Sequence, residues 1–334
     1  MQMFLTIILF ILGVCFLVKG AGWLVDGASR SAEIFKVSPL IIGLSVVAIG
    51  TSLPEFAVSL TAVLSGSGDI SVGNIIGSNI CNIGLALAIG AIISVVSVSI
   101  SALKRDFPVM LGVTVLLLIF IANHKLERWE GILLFVGFIY YFVYLSRRKE
   151  VSTQEEKSYP IWIKKSPWLA ILFGMIGIAI GARFMVNSGV HIARFLGVSE
   201  AIIGLSMIAI GTSLPELVTS VVAMLHKESD ISLGNILGSN ILNITLVLGC
   251  VSIIRPINVA PRLFRIDGWI MLGYAIILFP LLLTQYKLSR KKAVSCLLPI
   301  LFISYICILS NLPYDYKPTP CLLQKNVDLM SVSV

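Results

Sequence analysis

The residues 43–59, GLSVVAIGTSLPEFAVS, and 69–83, DISVGNIIGSNICNI, return at 204–220 as GLSMIAIGTSLPELVTS and at 230–244 as DISLGNILGSNILNI. Aligned without a gap at an offset of 161, residues 43–85 and 204–246 share 27 identities in 43 positions. Each copy is two apolar segments joined by a short polar turn, so the chain reads as two homologous halves.

Around this repeat the 334 residues are 57% hydrophobic and 13% charged, where a soluble domain carries about 25% charged residues. An ordinary water-soluble enzyme is excluded. Stretches such as 108–123 and 131–146 hold no formal charge, each near the lower limit of about 17 residues for crossing a bilayer. The spacing predicts spans at 3–28, 40–64, 70–94, 107–123, 131–146, 168–190, 201–225, 233–254, 268–284 and 294–310. The expected fold is an all-α polytopic membrane protein with ten transmembrane helices as two inverted five-helix repeats. Its parts are an N-terminal repeat 1–146 with the motif at 43–93, a linker 147–167, a C-terminal repeat 168–310 with the motif at 204–254, and a tail 311–334. Residues 3–18 are read as a retained first span, for want of a basic leader segment and a small-residue cleavage site.

Five spans per half is an odd number, so the second half enters the membrane from the opposite side. Charge provides a separate check. With both termini outside, the inside loops hold Arg30, Lys36, Lys104, Arg105, Arg147, Arg148, Lys149, Lys157, Lys164, Lys165, Lys227, Lys287, Arg290, Lys291 and Lys292. The outside loops and tail hold only Lys125, Arg128, Arg194, Arg255, Arg262, Arg265, Lys317 and Lys325. Fifteen against eight orients the chain by the positive-inside rule. The net charge of +8 is thereby explained without a nucleic-acid partner, for which no folded basic surface remains. Five cysteines (Cys15, Cys81, Cys250, Cys296, Cys307) fall in apolar segments and Cys321 in the tail, so no disulfide framework is expected.

Within the spans, Glu55 and Glu216 are the acidic residues farthest from the ends, and they occupy equivalent positions. An intramembrane carboxylate is costly and marks function. The alternative, a structural pair with Lys19 or Arg183, is disfavoured because neither base recurs in the other half. Thr51 and Ser52 precede Glu55 by four and three residues, on the same helical face, and Thr212 and Ser213 stand likewise before Glu216. Pro54 and Pro215 each remove an amide hydrogen bond and press on the carbonyls of Gly50 and Gly211, freeing backbone oxygens where broken helix is tolerated only around a cavity. In the following span Asn74, Ser78 and Asn82 form a polar stripe at intervals of four, repeated by Asn235, Ser239 and Asn243. Gly73, Gly77, Gly234 and Gly238 are read as packing ridges, and Asp69 and Asp230 as helix caps.

Many oxygens with no thiolate or imidazole suit hard cations such as Ca²⁺ or Na⁺. Two carboxylates neutralise one Ca²⁺ or two Na⁺ but not both loads together, and such competition is the basis of antiport. His124, His191 and His226 lie at loops or span ends and form no metal site or proton relay.

GTSLPE followed by GNIIGSNICNI, repeated as GTSLPE and GNILGSNILNI, resembles the alpha repeats of the sodium/calcium exchangers, within the cation/calcium antiporter superfamily. The resemblance implies a ten-helix inverted repeat, four cation sites around the two glutamates, and Na⁺ entering as Ca²⁺ leaves. Carried onto matching positions, it implies ligands Ala48 (carbonyl), Thr51, Ser52, Glu55, Ser78 and Asn82, with Ala209 (carbonyl), Thr212, Ser213, Glu216, Ser239 and Asn243. Relatives that co-transport K⁺ carry an aspartate where this chain has Asn243, which argues against K⁺ dependence. The short linker resembles the compact prokaryotic branch, which implies residence in the inner or plasma membrane and no cytosolic Ca²⁺-sensing domain. No cofactor and no obligate protein partner is expected; Ca²⁺ and Na⁺ are cargo and the lipid bilayer is the surrounding partner. The rival readings are H⁺-coupled cation exchange at the same glutamates and a cation channel. An intramembrane hydrolase is disfavoured because Ser52 and Ser213 have no His or Lys nearby in sequence to act as base.

Overall fold

The computed structural model describes residues 2–148, 158–198, 200–283 and 287–288, without the side chains of 2, 97, 200–210, 287 and 288. The expected tenth span, 294–310, and the tail lie outside the described residues. The helices are α1 (Gln2–Phe35), α2 (Pro39–Thr51), α3 (Leu53–Leu64), α4 (Gly68–Ile93), α5 (Ala102–Asn123), α6 (Arg128–Arg147), α7 (Ile161–Lys165), α8 (Pro167–Phe195), α9 (Glu200–Leu225), α10 (Ser229–Ile254) and α11 (Leu263–Leu283). Helices α2 and α3 meet at a 44° bend and together make one span. Nine of the ten expected spans are therefore present among the described residues.

The first and sixth spans run well past the expected ends at 28 and 190. At 1.5 Å per residue the 34 residues of α1 reach about 51 Å, against a hydrocarbon core of about 30 Å. Helices α1 and α8 lie antiparallel and touch through glycines. A Cβ on Gly20 would lie 2.8 Å from the Gly174 carbonyl oxygen and the Ile178 amide, and one on Gly13 would lie 2.8 Å from the Met185 amide. The 161-residue offset turns Gly13 into Gly174 and Gly20 into Gly181, and Gly181 in turn meets Leu17 and Gly13. The contact is thus exchanged with itself by the repeat, which is a pseudo-twofold axis seen at residue level.

Burial sorts the spans into layers. In α10, 83% of the apolar window is buried and in α4 67%, against 17% in α1, so α4 and α10 form the centre and α1 rides outside. Ile75, Ile76, Ile244, Val247 and Leu248 of the two central helices share one core cluster with Leu117, Leu134 and Met271. Outward-facing Phe4, Leu5, Ile11, Val136 and Tyr140 remain exposed, the apolar coat that a bilayer covers.

Four two-residue strands were not foreseen. They are β1 (Val96–Ser97), β2 (Lys125–Leu126), β3 (Ile257–Asn258) and β4 (Lys287–Leu288), in antiparallel pairs β1 with β4 and β2 with β3. Each pair joins one loop from each half. Counting spans, the loops of β1 and β4 emerge on one side of the membrane and those of β2 and β3 on the other, which is required of strands that touch. The inverted arrangement is consistent with this pairing.

Two expectations are corrected. Asp69 and Asp230 lie inside the first turns of α4 and α10 and do not cap them; Asp69 Oδ1 instead accepts the Ala260 amide at 2.6 Å, fastening α4 to the other half. Proline breaks the helix in the first copy only, at Ser52, whereas α9 runs unbroken with Pro215 inside it. A proline removes one hydrogen bond in either copy; α2 also carries a π-turn at Gly43–Val47, and at the equivalent residues of α9 the turn is regular. Gly234 and Gly238 do pack as expected: Cβ atoms there would meet the carbonyl oxygens of Leu40 and Leu44 at 2.5 and 2.7 Å.

Candidate functional site

Glu55 at the start of α3 and Glu216 in α9 are both fully buried. Among the described residues neither makes an ion pair, so Lys19 and Arg183 do not neutralise them. Ser78 of α4 donates to Glu55 Oε1 at 3.3 Å and Ser52 to Glu216 Oε1 at 3.2 Å. The other oxygen of each carboxylate, Oε2, is buried with no donor.

The hydroxyls and amides between the two glutamates are arranged by the same pseudo-twofold. Thr51 donates to Asn235 Oδ1 at 3.0 Å and Thr212 to Asn74 Oδ1 at 3.1 Å. Asn74 donates to Ser59 at 3.1 Å and Asn235 to Ser220 at 3.2 Å. Thr51 lies 3.4 Å from the Ser239 hydroxyl and Thr212 3.5 Å from that of Ser78. The Thr51 hydroxyl also lies 3.4 Å from the Ala48 carbonyl oxygen, so its shortest bond is the one to the asparagine of the opposite repeat.

The structure therefore gathers Thr51, Ser52, Glu55, Ser78, Thr212, Glu216 and Ser239 into one contiguous polar cluster. Asn82 and Asn243 lie one helical turn further along α4 and α10, each opening a π-turn, Asn82–Ala86 and Asn243–Leu248. Their Oδ1 atoms are buried and accept no hydrogen bond. Ser213 is buried with its hydroxyl unpartnered, unlike its counterpart Ser52. The Ala48 carbonyl receives the Ser52 amide at 3.0 Å and the Thr51 hydroxyl at 3.4 Å. Ala209 lies in the 200–210 part of α9, whose side chains are outside the description. Asn74 and Asn235, on the expected stripe, clamp the two repeats together.

Sequence reasoning passed over Asn79 and Asn240. Asn79 donates to the Asn240 carbonyl at 3.2 Å and accepts from Asn243 at 3.1 Å, while Asn240 accepts from Asn82 at 3.1 Å. They follow Ser78 and Ser239 by one residue, about 100° round the helix from the stripe. Their identity in both copies of an otherwise apolar face was the available signal.

Among the described residues the centre thus holds four carboxylate and amide oxygens that are buried without donors: Oε2 of Glu55 and Glu216 and Oδ1 of Asn82 and Asn243. Leaving a buried acceptor unpaired costs about 1–3 kcal/mol, and more for a charged one. A cation held among them removes that cost, and the all-oxygen donor set fits a hard ion.

A sequence profile of the sodium/calcium exchanger protein family matches residues 5–147 and 166–311. The chain is 37% identical over 320 residues to the inner membrane protein YrbG of Escherichia coli, covering 92% of this chain and 97% of the relative. It is 31% identical over 343 residues to the sodium/calcium exchanger MaX1 of Methanosarcina acetivorans (90% and 97%) and 36% identical over 312 residues to the putative antiporter CaxA of Alkalimonas amylolytica (91% and 98%). Solved structures of the sodium-calcium exchanger NCX_Mj superpose with a TM-score of 0.78 at 32% identity, covering 91% of this chain and 98% of that one.

Proposed function

The chain belongs to the sodium/calcium exchanger family, and from that membership we propose that it exchanges Na⁺ for Ca²⁺ by alternating access at a midplane site built on Glu55 and Glu216. It is a multi-pass integral membrane cation/calcium antiporter and not an enzyme; the coupling ion and the ligands are the proposal. The observation that carries it is the set of four buried, donor-free oxygens at the centre of the two repeats.

Ca²⁺ takes six to eight oxygen ligands. The four free oxygens, the hydroxyls of Thr51, Ser52, Ser78, Thr212, Ser213 and Ser239, and the carbonyls of Ala48 and Ala209 offer more than that number, enough for Na⁺ to occupy subsets of the same ligands. Two ionised carboxylates balance one Ca²⁺ or two Na⁺, so the loads exclude each other, and an empty site with both carboxylates ionised would carry two uncompensated buried charges. That makes crossing without cargo unfavourable, which is the requirement for exchange over leak. The amide at Asn243 adds no third charge and supports independence from K⁺.

Helices α1 and α8, joined through their glycines and outside the core, slide as a unit against α2, α3, α4, α9 and α10 to open the site to either side. The halves are 1–146 and 168–310, with 147–167 as the cytoplasmic connection. The excess of basic residues at the inner loops supports both termini outside, in the inner or plasma membrane. The resident chemistry needs no cofactor.

Reconstituted protein with an outward Na⁺ gradient is expected to take up labelled Ca²⁺, and Glu55→Gln and Glu216→Gln are each expected to lower that uptake at least a hundredfold. Normal uptake by either variant contradicts the site assignment.

A further inference from the structure

Asn79 and Asn240 touch neither glutamate, yet their hydrogen bonds decide which end of two other amides is free. The Asn240 main-chain carbonyl can only accept, so Asn79 must present Nδ2 to it, at 3.2 Å. That turns Asn79 Oδ1 toward Asn243, which must answer with its own Nδ2, at 3.1 Å. Asn243 is then left with Oδ1 as its unpartnered atom. On the other side the Met110 thioether, also an acceptor, receives Asn240 Nδ2 at 3.6 Å. Asn240 Oδ1 therefore faces Asn82 Nδ2 at 3.1 Å, and Asn82 Oδ1 is left free in turn.

We propose that Asn79 and Asn240 are positioning residues which lock the amides of Asn243 and Asn82 with oxygen, and not nitrogen, available to the transported cation. An amide is ambivalent: turned over, it would offer a cation the positive end of an N–H dipole. Two carboxylates have no such wrong face, which is why the lock is needed at the amides and not at Glu55 or Glu216. The packing leaves little freedom for compensation, since Asn79, Asn82, Asn240 and Asn243 are all buried. The inference rests on the cation-site reading above and deepens it.

A double-mutant cycle tests it. Ca²⁺ binding is measured by titration calorimetry on the purified full chain, for the unmutated protein, Asn79→Ala, Asn243→Asp and the double variant, with thermal unfolding run alongside. Asn79→Ala is expected to weaken Ca²⁺ binding about tenfold, because the Asn243 amide can now rotate. In the Asn243→Asp background the same substitution is expected to change binding less than twofold or to tighten it. A carboxylate presents oxygen either way, and removing Asn79 also removes an acceptor facing an acceptor. An equal loss in both backgrounds would assign Asn79 a merely structural role and overturn the proposal. Asn240→Ala with Asn82→Asp provides the mirror-image cycle with the same two outcomes, should Asn79→Ala fail to fold. If the unmutated chain binds no Ca²⁺ the exchange reading itself falls, a result distinct from equal losses in a chain that does bind.

Discussion

At the scale of single residues, Asn74 and Asn235 show how closely the two halves have kept one chemistry. Each amide donates to a serine of its own repeat and accepts from a threonine of the other. Replacing either by alanine strands a buried hydroxyl, which costs about 1–3 kcal/mol. Asn74→Ala and Asn235→Ala should therefore lower the thermal unfolding midpoint in detergent by similar amounts, and a large loss in one with none in the other would contradict the symmetric bonding. The glutamates were legible in sequence because an acidic residue deep in an apolar span is conspicuous and occurs twice. The orienting asparagines were not, since position 79 differs from 78 by one residue and periodicity alone does not say which neighbour crosses to the other repeat. The unequal serines, Ser52 bonded and Ser213 not, were equally hidden, because identical motifs predict identical environments.

Whole helices bring a different kind of evidence, because close approach is decided along a face. Gly174 lies against α1, where an added Cβ would come within 2.6 Å of the Leu24 amide, whereas Gly137 of α6 has nothing within 4 Å. Gly174→Ala is expected to destabilise the protein by about 1–3 kcal/mol through forced separation of the helices. Gly137→Ala should be neutral or stabilising, by up to about 1 kcal/mol from helix propensity. Unfolding followed by tryptophan fluorescence compares the two, and equal effects would show that the α1 to α8 contact is looser than its geometry. Span number and order could be read from apolar length. The π-turns at 82–86 and 243–248 could not, since a wider turn depends on what packs beside it. The bend at Ser52 without one in α9 likewise escapes a rule about proline, which removes a hydrogen bond but leaves the angle to the neighbours.

Over the molecule as a whole, an odd number of spans per repeat was enough to predict inversion, and the pairing of β1 with β4 and β2 with β3 fits it. What the repeat could not disclose is where symmetry fails. At the end of the molecule shared with the connection, Asp26 bonds His226 at 2.8 Å, Ser29 donates to Glu228, and Tyr159 donates to Glu33 at 2.7 Å. The residues equivalent to Asp26, Ser29, Glu33, His226 and Glu228 on the opposite face are Asn187, Val190, Arg194, Ser65 and Ser67, of which Arg194 alone is charged. The two ends of the molecule thus differ in chemistry, while the hydrogen bonding of the polar cluster between them stays nearly symmetric. The central claim is that this site couples Ca²⁺ to Na⁺, and the most direct measurement is Ca²⁺ flux in proteoliposomes under opposed gradients. At equal pH on both sides, uptake is expected to follow an outward Na⁺ gradient and to reverse with it, and a pH gradient without Na⁺ should drive none. Uptake that follows the pH gradient in the absence of Na⁺ would contradict the account.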